Sequence, residues 1–167
     1  MGLLIVEPGI ATTVQDAGRP GLAHLGVPPS GAVDPALTSA LNRLVGNPSD
    51  SAVVETVGGL RVRALRSALV ATDIESAPRH LAAGDEIEIG AGGGRQWHYL
   101  AVHGGIATEP VLGSRSTDTL SDIGRIDLVA GTELPIGRVP TAPPAVDVAR
   151  FAAPRTAVRL TAGPRLD

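Results

Sequence analysis

Short apolar runs broken by glycine, proline and aspartate recur along the chain: LLIV at 3–6, AVVETV at 52–57, LRVRAL at 60–65, ALVAT at 68–72, EIEIG at 86–90, WHYLAV at 97–102, RIDLVA at 125–130 and AVRLTA at 157–162. Their lengths, β-branched content and flanking turn residues predict strands. In EIEI and RIDLV, apolar residues alternate with charged ones, which puts one face in a core and the other in water. Only DPALTSALNRLVGN repeats its apolar positions at three and four residues, through Leu37, Ala40, Leu41 and Leu44. This predicts one clear helix, over about 34–45. Asp34 suits the N-cap, Pro35 the first helical position, and Gly46 or Asn47 a left-handed C-terminal turn. The pattern is that of a mainly β chain, a barrel or a sandwich.

Two segments echo each other, AGDEIEIG at 83–90 and AGTELPIG at 130–137, each a turn feeding a strand. They read as similar corners of one scaffold, with Pro135 on an edge strand. From 139 to 155 the chain is proline-rich and aperiodic, the mark of a stiff linker. This organisation predicts a β domain over 1–138, a linker over 139–155 and, over 156–167, either the start of a truncated second domain or a strand returning to the first.

Composition narrows the chemistry. Of the residues, 43% are hydrophobic, but only Trp97, Tyr99 and Phe151 are aromatic, so aliphatic side chains must fill the core. All 14 basic residues are arginine; without lysine there is no P-loop lysine, Schiff base or Ser-Lys dyad. The absence of cysteine excludes disulfides, thiolate nucleophiles and Cys-ligated zinc, and the four histidines fit no metal-binding spacing, so no metal is expected. A net charge of −3 with dispersed arginines gives no stripe for a phosphate backbone, and no apolar run reaches the ~18 residues of a membrane span. Nucleic acid and membrane are therefore not expected as partners. The start of the chain lacks the basic and apolar regions of a signal peptide, which points to a cytoplasmic location.

Two glycine-rich stretches carry candidate chemistry. VQDAGRPGLAHLGVPPSGAVD, at 14–34, has glycine or proline at seven of 21 positions and also holds Gln15, Asp16, Arg19, His24, Ser30 and Asp34. Arg19, confined between Gly18 and Pro20, would lose little entropy on gripping an anion. Equally, Asp16 and Arg19 can pair with one another, and Gln15 or Ser30 can satisfy loop amides. HGGIATEPVLGSRS, at 103–116, places Gly104 and Gly105 after a strand and then Ser114, Arg115 and Ser116 in a second turn. Amides, hydroxyls and a guanidinium gathered there would hold a carboxylate or phosphate. GAGGGR at 90–95 reads as a hairpin loop, because Arg95 stands where a dinucleotide fingerprint needs its third glycine. A Ser30–His24–Asp16 or Ser30–His24–Asp34 triad can be drawn only on paper.

The run TTVQDAGRPGLAHLGVPPSGAVD, followed by LNRLVGNPSDSAVVETVGG, AVHGGI and PVLGSRSTD, resembles the allophanate hydrolase subunit 2 family. That family includes the C subunit of 5-oxoprolinase, Kip-type antagonists of a sporulation-kinase inhibitor and the carboxyltransferase region of urea carboxylase. The resemblance implies a cyclophilin-like closed β-barrel, with this chain carrying about half of a family member. It implies a hydrolase subunit in a hetero-oligomer, beside a partner of the subunit 1 type or like the B subunit of 5-oxoprolinase, acting on a small amide, with self-association also compatible. No cofactor is expected on this chain alone, and ATP would enter through partner subunits. The implied cleft uses Gln15, Arg19, Ser30, Gly104, Gly105, Ser114 and Arg115 for substrate binding, with Asp16 orienting Arg19 or taking a proton. A non-catalytic Kip-type regulator and a carboxyltransferase component are the alternatives.

Overall fold

The computed structural model describes residues 2–90, 94–141, 144, 148 and 149. Among them, nine strands form two antiparallel sheets: β1 (Leu3–Pro8), β2 (Ala11–Gln15), β3 (Val53–Val57), β4 (Leu60–Ala64), β5 (Ala68–Thr72), β6 (Arg79–Leu81), β7 (Glu86–Ile89), β8 (His98–Val102) and β9 (Glu133–Leu134). One sheet has the order β7-β4-β1-β9 and the other β2-β3-β8-β5-β6. Among the described residues no ladder joins the two sheets. The expected mainly β fold with one clear helix is observed as two antiparallel sheets, neither of which closes on itself among the described residues.

Between the sheets lies an aliphatic core: Leu3 and Ile5 of β1, Leu60 and Val62 of β4 and Ile87 and Ile89 of β7 meet Val54, Val70, Leu100 and Val102 of the second sheet. The helix α1 (Pro35–Leu44) covers that sheet's other face, where Leu37, Leu41 and Leu44 pack on Val53, Ala71, Tyr99 and Ala101. This is why β8 is buried at every position and reads as a continuous apolar run: alternate residues serve two cores. The helix begins as its sequence predicts, with Asp34 accepting the Leu37 amide at 2.9 Å and proline in the first turn. Gly46 takes the left-handed conformation beyond its end, at φ 72°.

The two echoing segments form equivalent corners at opposite edges of the four-stranded sheet. In the first, Gly84 N–H bonds to the Ala64 carbonyl and Ala64 N–H to that of Asp85. In the second, Gly131 N–H bonds to the Ile5 carbonyl and Ile5 N–H to that of Thr132. Even the turn side chains correspond: Asp85 accepts the Ala82 amide at 2.8 Å and Thr132 the Val129 amide at 3.1 Å. The positive φ of Gly84 (95°) and Gly131 (91°) is what makes glycine necessary in both.

Two expectations need correction, and one strand lies where none was expected. RIDLVA at 125–130 forms no ladder, although Leu128 is buried and Ile126 packs against the core, so its alternation reports burial without pairing. The strands flanking GAGGGR do not form the expected hairpin, because β7 pairs with β4 while β8 lies in the other sheet between β3 and β5; residues 91–93 lie outside the described residues. ATTVQ at 11–15 is a strand, paired along its whole length with β3. AVRLTA and most of the proline-rich segment lie outside the described residues.

Candidate functional site

Strand β2 ends at Gln15, and Asp16 closes the turn that follows by accepting the Gly18 amide on Oδ1 at 2.8 Å. Gly18 has φ 79°, and a Cβ there would collide with the Pro29 carbonyl oxygen. Only glycine lets the outgoing and returning limbs of the 14–34 loop lie this close. They are fastened by Arg19 N–H to the Pro29 carbonyl at 2.7 Å and Ala32 N–H to the Asp16 carbonyl at 3.1 Å. Ser30 adopts φ 53° on the returning limb.

The second turn docks onto the same aspartate. Ser114 and Ser116 hydroxyls each donate to Asp16 Oδ1 at 2.6 Å, and the Arg115 amide donates to Oδ2 at 2.6 Å. The Asp16 amide returns a bond to Ser116 Oγ at 2.9 Å. Residues about one hundred positions apart thus form a single knot. Burial pushes the Asp16 carboxyl up, but the bonds from Ser114, Ser116, Arg115 and Gly18 outweigh it and hold the group below its ordinary value. Its charge is therefore kept at neutral pH and its oxygens are occupied.

Arg19 is 2% exposed and turns its fork inward. Its Nη1 donates to Ser30 Oγ at 3.1 Å, its Nε to the Val111 carbonyl at 3.3 Å and its Nη2 to the Ser116 carbonyl. Asp16 and Arg19 share a knot but make no ion pair with each other among the described contacts. Arg115 is half-buried, with Nε on the Thr108 carbonyl at 2.7 Å. His24 sits exposed at the loop tip against the Gly21 carbonyl, and Ser30 Oγ takes its bond from Arg19, so the paper triad is not assembled.

Gly104 and Gly105 take no part in the hydrogen bonds described for this knot. Gly104 N–H donates to Asn47 Oδ1 at 2.8 Å, and a Cβ on Gly104 would meet the Gly137 carbonyl oxygen at 2.8 Å. The glycine pair lets the segment after β9 pass close to the end of β8, where Gly137 N–H bonds to the Gly105 carbonyl.

A groove opens next to the knot. Gln15 donates through Nε2 to the Thr117 carbonyl at 3.0 Å and to Thr13 Oγ1 at 3.1 Å. These residues, with Ser30, Glu55, Trp97 and Asp118, line a cavity of about 290 Å³. A larger one, about 600 Å³, shares Ser30, Asp118 and Thr119 and continues past Pro28 and Pro29. A third, about 230 Å³, shares Val33 and Trp97 and reaches Tyr99 and Arg95.

Glu55 at the floor was not among the expected site residues. It faces Tyr99 across the β3–β8 ladder, accepts the Val33 amide on Oε2 at 2.8 Å and receives the Tyr99 hydroxyl. Tyr99 Oη in turn accepts the Asp34 amide at 3.0 Å, so the pair ties the end of the loop to the sheet. Burial pushes the Glu55 carboxyl up, against the lowering effect of those two hydrogen bonds. Burial and the neighbouring Glu55 charge push the Tyr99 hydroxyl up as well. The signal for Glu55 was available in AVVETV, where one acid interrupts an apolar run. Below the same strands His98 and Asp73 form a second polar pair, Nδ1 to Oδ2 at 3.0 Å and almost fully buried, and Asp73 Oδ1 also accepts the Tyr99 amide. Among the described residues no group of three or more His, Asp or Glu is placed to hold a metal, and no helix is long and apolar enough to cross a membrane.

Two aliphatic-cored antiparallel sheets that carry a fastened pair of loops beside a polar groove define a two-sheet β scaffold with one helix. More specifically, the chain belongs to the carboxyltransferase domain, subdomain A and B, family, whose model matches residues 25–167. It is 36% identical over 154 residues to the 5-oxoprolinase C subunit of Escherichia coli (strain K12), covering 81% of this chain and 49% of that one. It is 34% identical over 135 residues to a urea amidolyase of Lachancea kluyveri, covering 72% of this chain and 7% of that one. A crystal structure of TTHA0988 superposes with a TM-score of 0.81 at 30% identity, over 92% of this chain and 34% of that one. A crystal structure of the K. lactis urea amidolyase superposes with a TM-score of 0.72 at 28% identity, over 89% and 10%. The chain thus spans about half the length of the 5-oxoprolinase C subunit and a small part of the urea amidolyases.

Proposed function

We propose that this chain is a subunit, or part of one, of an amide-hydrolysing complex of the 5-oxoprolinase and allophanate hydrolase type, and that the groove beside Glu55 is where it meets a small ligand. What carries the reading is the coincidence of two facts: the chain is 36% identical to the 5-oxoprolinase C subunit, and the segments QDAGRPG and GSRSTD, which resemble that family, meet at Asp16 and contribute Gln15, Thr117 and Asp118 to the lining of a groove. In this proposal Asp16, Arg19, Ser30 and Ser114 are positioning residues. An ionised Asp16 with four donors on it is a poor proton acceptor, and a buried Arg19 spends its donors on the chain itself. Arg115 keeps both Nη nitrogens without a partner among the described residues, which leaves it able to meet a carboxylate of a substrate or of a partner subunit. Nucleotide chemistry would belong to a partner of the subunit 1 type or like the B subunit of 5-oxoprolinase, with ATP bound there.

The test is reconstitution. Mixed with the partner subunits of a 5-oxoprolinase, the chain should form a defined hetero-oligomer and support ATP-dependent release of glutamate from 5-oxoproline, with Arg115→Ala lowering turnover at least tenfold. Complex formation without turnover would instead favour a Kip-type regulator. The match to a carboxyltransferase model and to urea amidolyases favours one second reading, a carboxyltransferase component. In that case carboxybiotin would lose its carboxyl group in the presence of the chain and an acceptor amide, and 5-oxoproline turnover would be absent.

A further inference from the structure

We propose that residues 21–27 form a flap that closes over the groove beside the knot, bringing Leu25 onto Leu120. The proposal rests on the groove being the ligand site of this chain, and it gives that site a moving part.

The frame of the flap is fixed. Arg19 N–H meets the Pro29 carbonyl at 2.7 Å and closes the loop at its base. Beyond that bond the returning limb is held at three successive residues: Ala32 N–H on the Asp16 carbonyl, Val33 N–H on Glu55 and Asp34 N–H on Tyr99.

Inside the frame, the stretch 20–28 is bonded only to itself among the described contacts. Leu25 N–H meets the Leu22 carbonyl at 2.9 Å, Gly26 N–H that of Ala23 at 3.0 Å and Val27 N–H that of Leu22 at 3.3 Å, while the His24 ring lies against the Gly21 carbonyl. The 3-10 turn Ala23–Leu25 buries none of its residues. A compact loop with joined ends, its own hydrogen bonds and no buried anchor belongs to the segments that open at the lowest free energy. Gly21, at φ 90° and with nothing within 4 Å of where a Cβ would sit, is a free joint on the outgoing limb. Pro28 and Pro29 stiffen the returning one. The turn therefore moves as a unit.

The flap and a second turn line one groove of about 600 Å³, the first through Ala23, Gly26 and Val27, the second through Asp118, Thr119 and Leu120. The second turn is pinned, by Asp118 N–H on the Ile123 carbonyl at 2.9 Å and Leu120 N–H on Asp118 Oδ1 at 3.0 Å. Yet Leu120 is 88% exposed, and Leu25 on the flap is 65% exposed. Joining the two takes apolar surface out of water, and it bridges the groove between its fastened wall and its free one. That groove shares Ser30, Asp118 and Thr119 with the cavity at Glu55, so a closed flap encloses a ligand held there, as active-site lids do.

The chain has no cysteine, which allows a direct test by disulfide trapping on the full chain. The pair Leu25→Cys with Leu120→Cys should cross-link within one molecule, in a glutathione redox buffer, roughly tenfold faster than the pair Ile10→Cys with Leu120→Cys. Ile10 is equally open to solvent, at 85% exposure, but stands on the turn between β1 and β2. In the unmodified chain, the amides of Leu25, Gly26 and Val27 should exchange with deuterium roughly a hundredfold faster than those of Arg19, Ala32 and Val33. All six are hydrogen-bonded, so the comparison reads opening and not mere exposure. A Leu25–Leu120 cross-link no faster than the control pair, or flap amides as protected as those of the frame, would overturn the proposal. Neither measurement needs a partner subunit. Their failure with 5-oxoproline turnover intact would remove the flap alone, whereas a closing flap in a chain without turnover would remove the assigned activity and leave the motion standing.

Discussion

Asp16 follows Gln15 of the groove's lining and ties two loops together, Glu55 lines the groove itself, and the protein treats the two acids in opposite ways. Asp16 collects two hydroxyls and two amides and is held below its ordinary value despite its burial. Glu55, more deeply enclosed at 3% exposure, receives one amide and one phenol and is pushed up. The difference is one of satisfaction: four donors stabilise a carboxylate more than its desolvation costs, and two do not. The first acid is therefore a fastener, spending its charge on holding two loops together. The second is left with fewer donors than its burial calls for.

The contrast is broken most forcefully at the fastener. Asp16→Asn keeps the shape but leaves one acceptor oxygen where there were two. If that oxygen takes the place of Oδ1, the new amide nitrogen faces the Arg115 N–H, a donor against a donor. We expect a loss of about 2–4 kcal/mol, since bonds to a charged group are worth roughly 1.5–3 kcal/mol and a stranded donor adds its own penalty. A urea titration would read it as a lower midpoint with little change in slope. A midpoint equal to wild type would mean that the knot is ornamental.

A smaller break is Gly18→Ala. The position has φ 79° and a carbonyl where a Cβ would sit, so the loop limbs must part. The left-handed conformation alone costs a non-glycine residue roughly 1–2 kcal/mol, and the contact adds to it. The expected loss is about 1–3 kcal/mol, again read by urea titration. Gly21, also at positive φ but with open space where its Cβ would be, is the control and should lose less when changed to alanine.

What could be foreseen followed how local each feature is. The helix was legible because its cap, its proline and its repeat of leucines are all within a dozen residues. The AGDEIEIG and AGTELPIG corners were legible because turn chemistry is local too, and their identical bond patterns follow from it. RIDLVA shows the limit: alternation tells which side is wet, but whether a neighbour comes alongside depends on chain far away. ATTVQ was overlooked because threonines beside a loop rich in glycine and proline look like more loop. Asp16, Ser114 and Arg115 were gathered only through resemblance to a family, since nothing in the spacing of two turns a hundred residues apart says that they touch. Gly104 and Gly105 show the converse: a glycine pair announces a close approach without saying what approaches, and here it is the segment following β9. Glu55 was missed although a lone acid inside an apolar strand was in plain view, because such a residue is visible as an anomaly only when its burial is known.

The gentlest test swaps the second acid in the same way. Glu55→Gln keeps an oxygen for the Val33 amide and removes a charge that burial disfavours, so at neutral pH it should leave stability unchanged or raise it by up to about 1 kcal/mol, the opposite sign from Asp16→Asn. The two substitutions also separate by pH. Glu55 titrates above its ordinary 4.5 in the folded chain, so between that value and the folded one the folded chain holds a proton that the unfolded chain has released. Its contribution is then full below about 4.5 and declines as pH rises through the window. Asp16, held below 3.8, contributes above that value and loses its contribution as pH falls through its folded value. Urea midpoints of wild type minus Glu55→Gln should therefore fall with rising pH just above 4.5, while wild type minus Asp16→Asn should fall with declining pH below 3.8. Flat difference curves would show that both acids are merely solvated, and curves sloping the same way would show that the two are shifted in one direction; either removes the contrast between knot and groove.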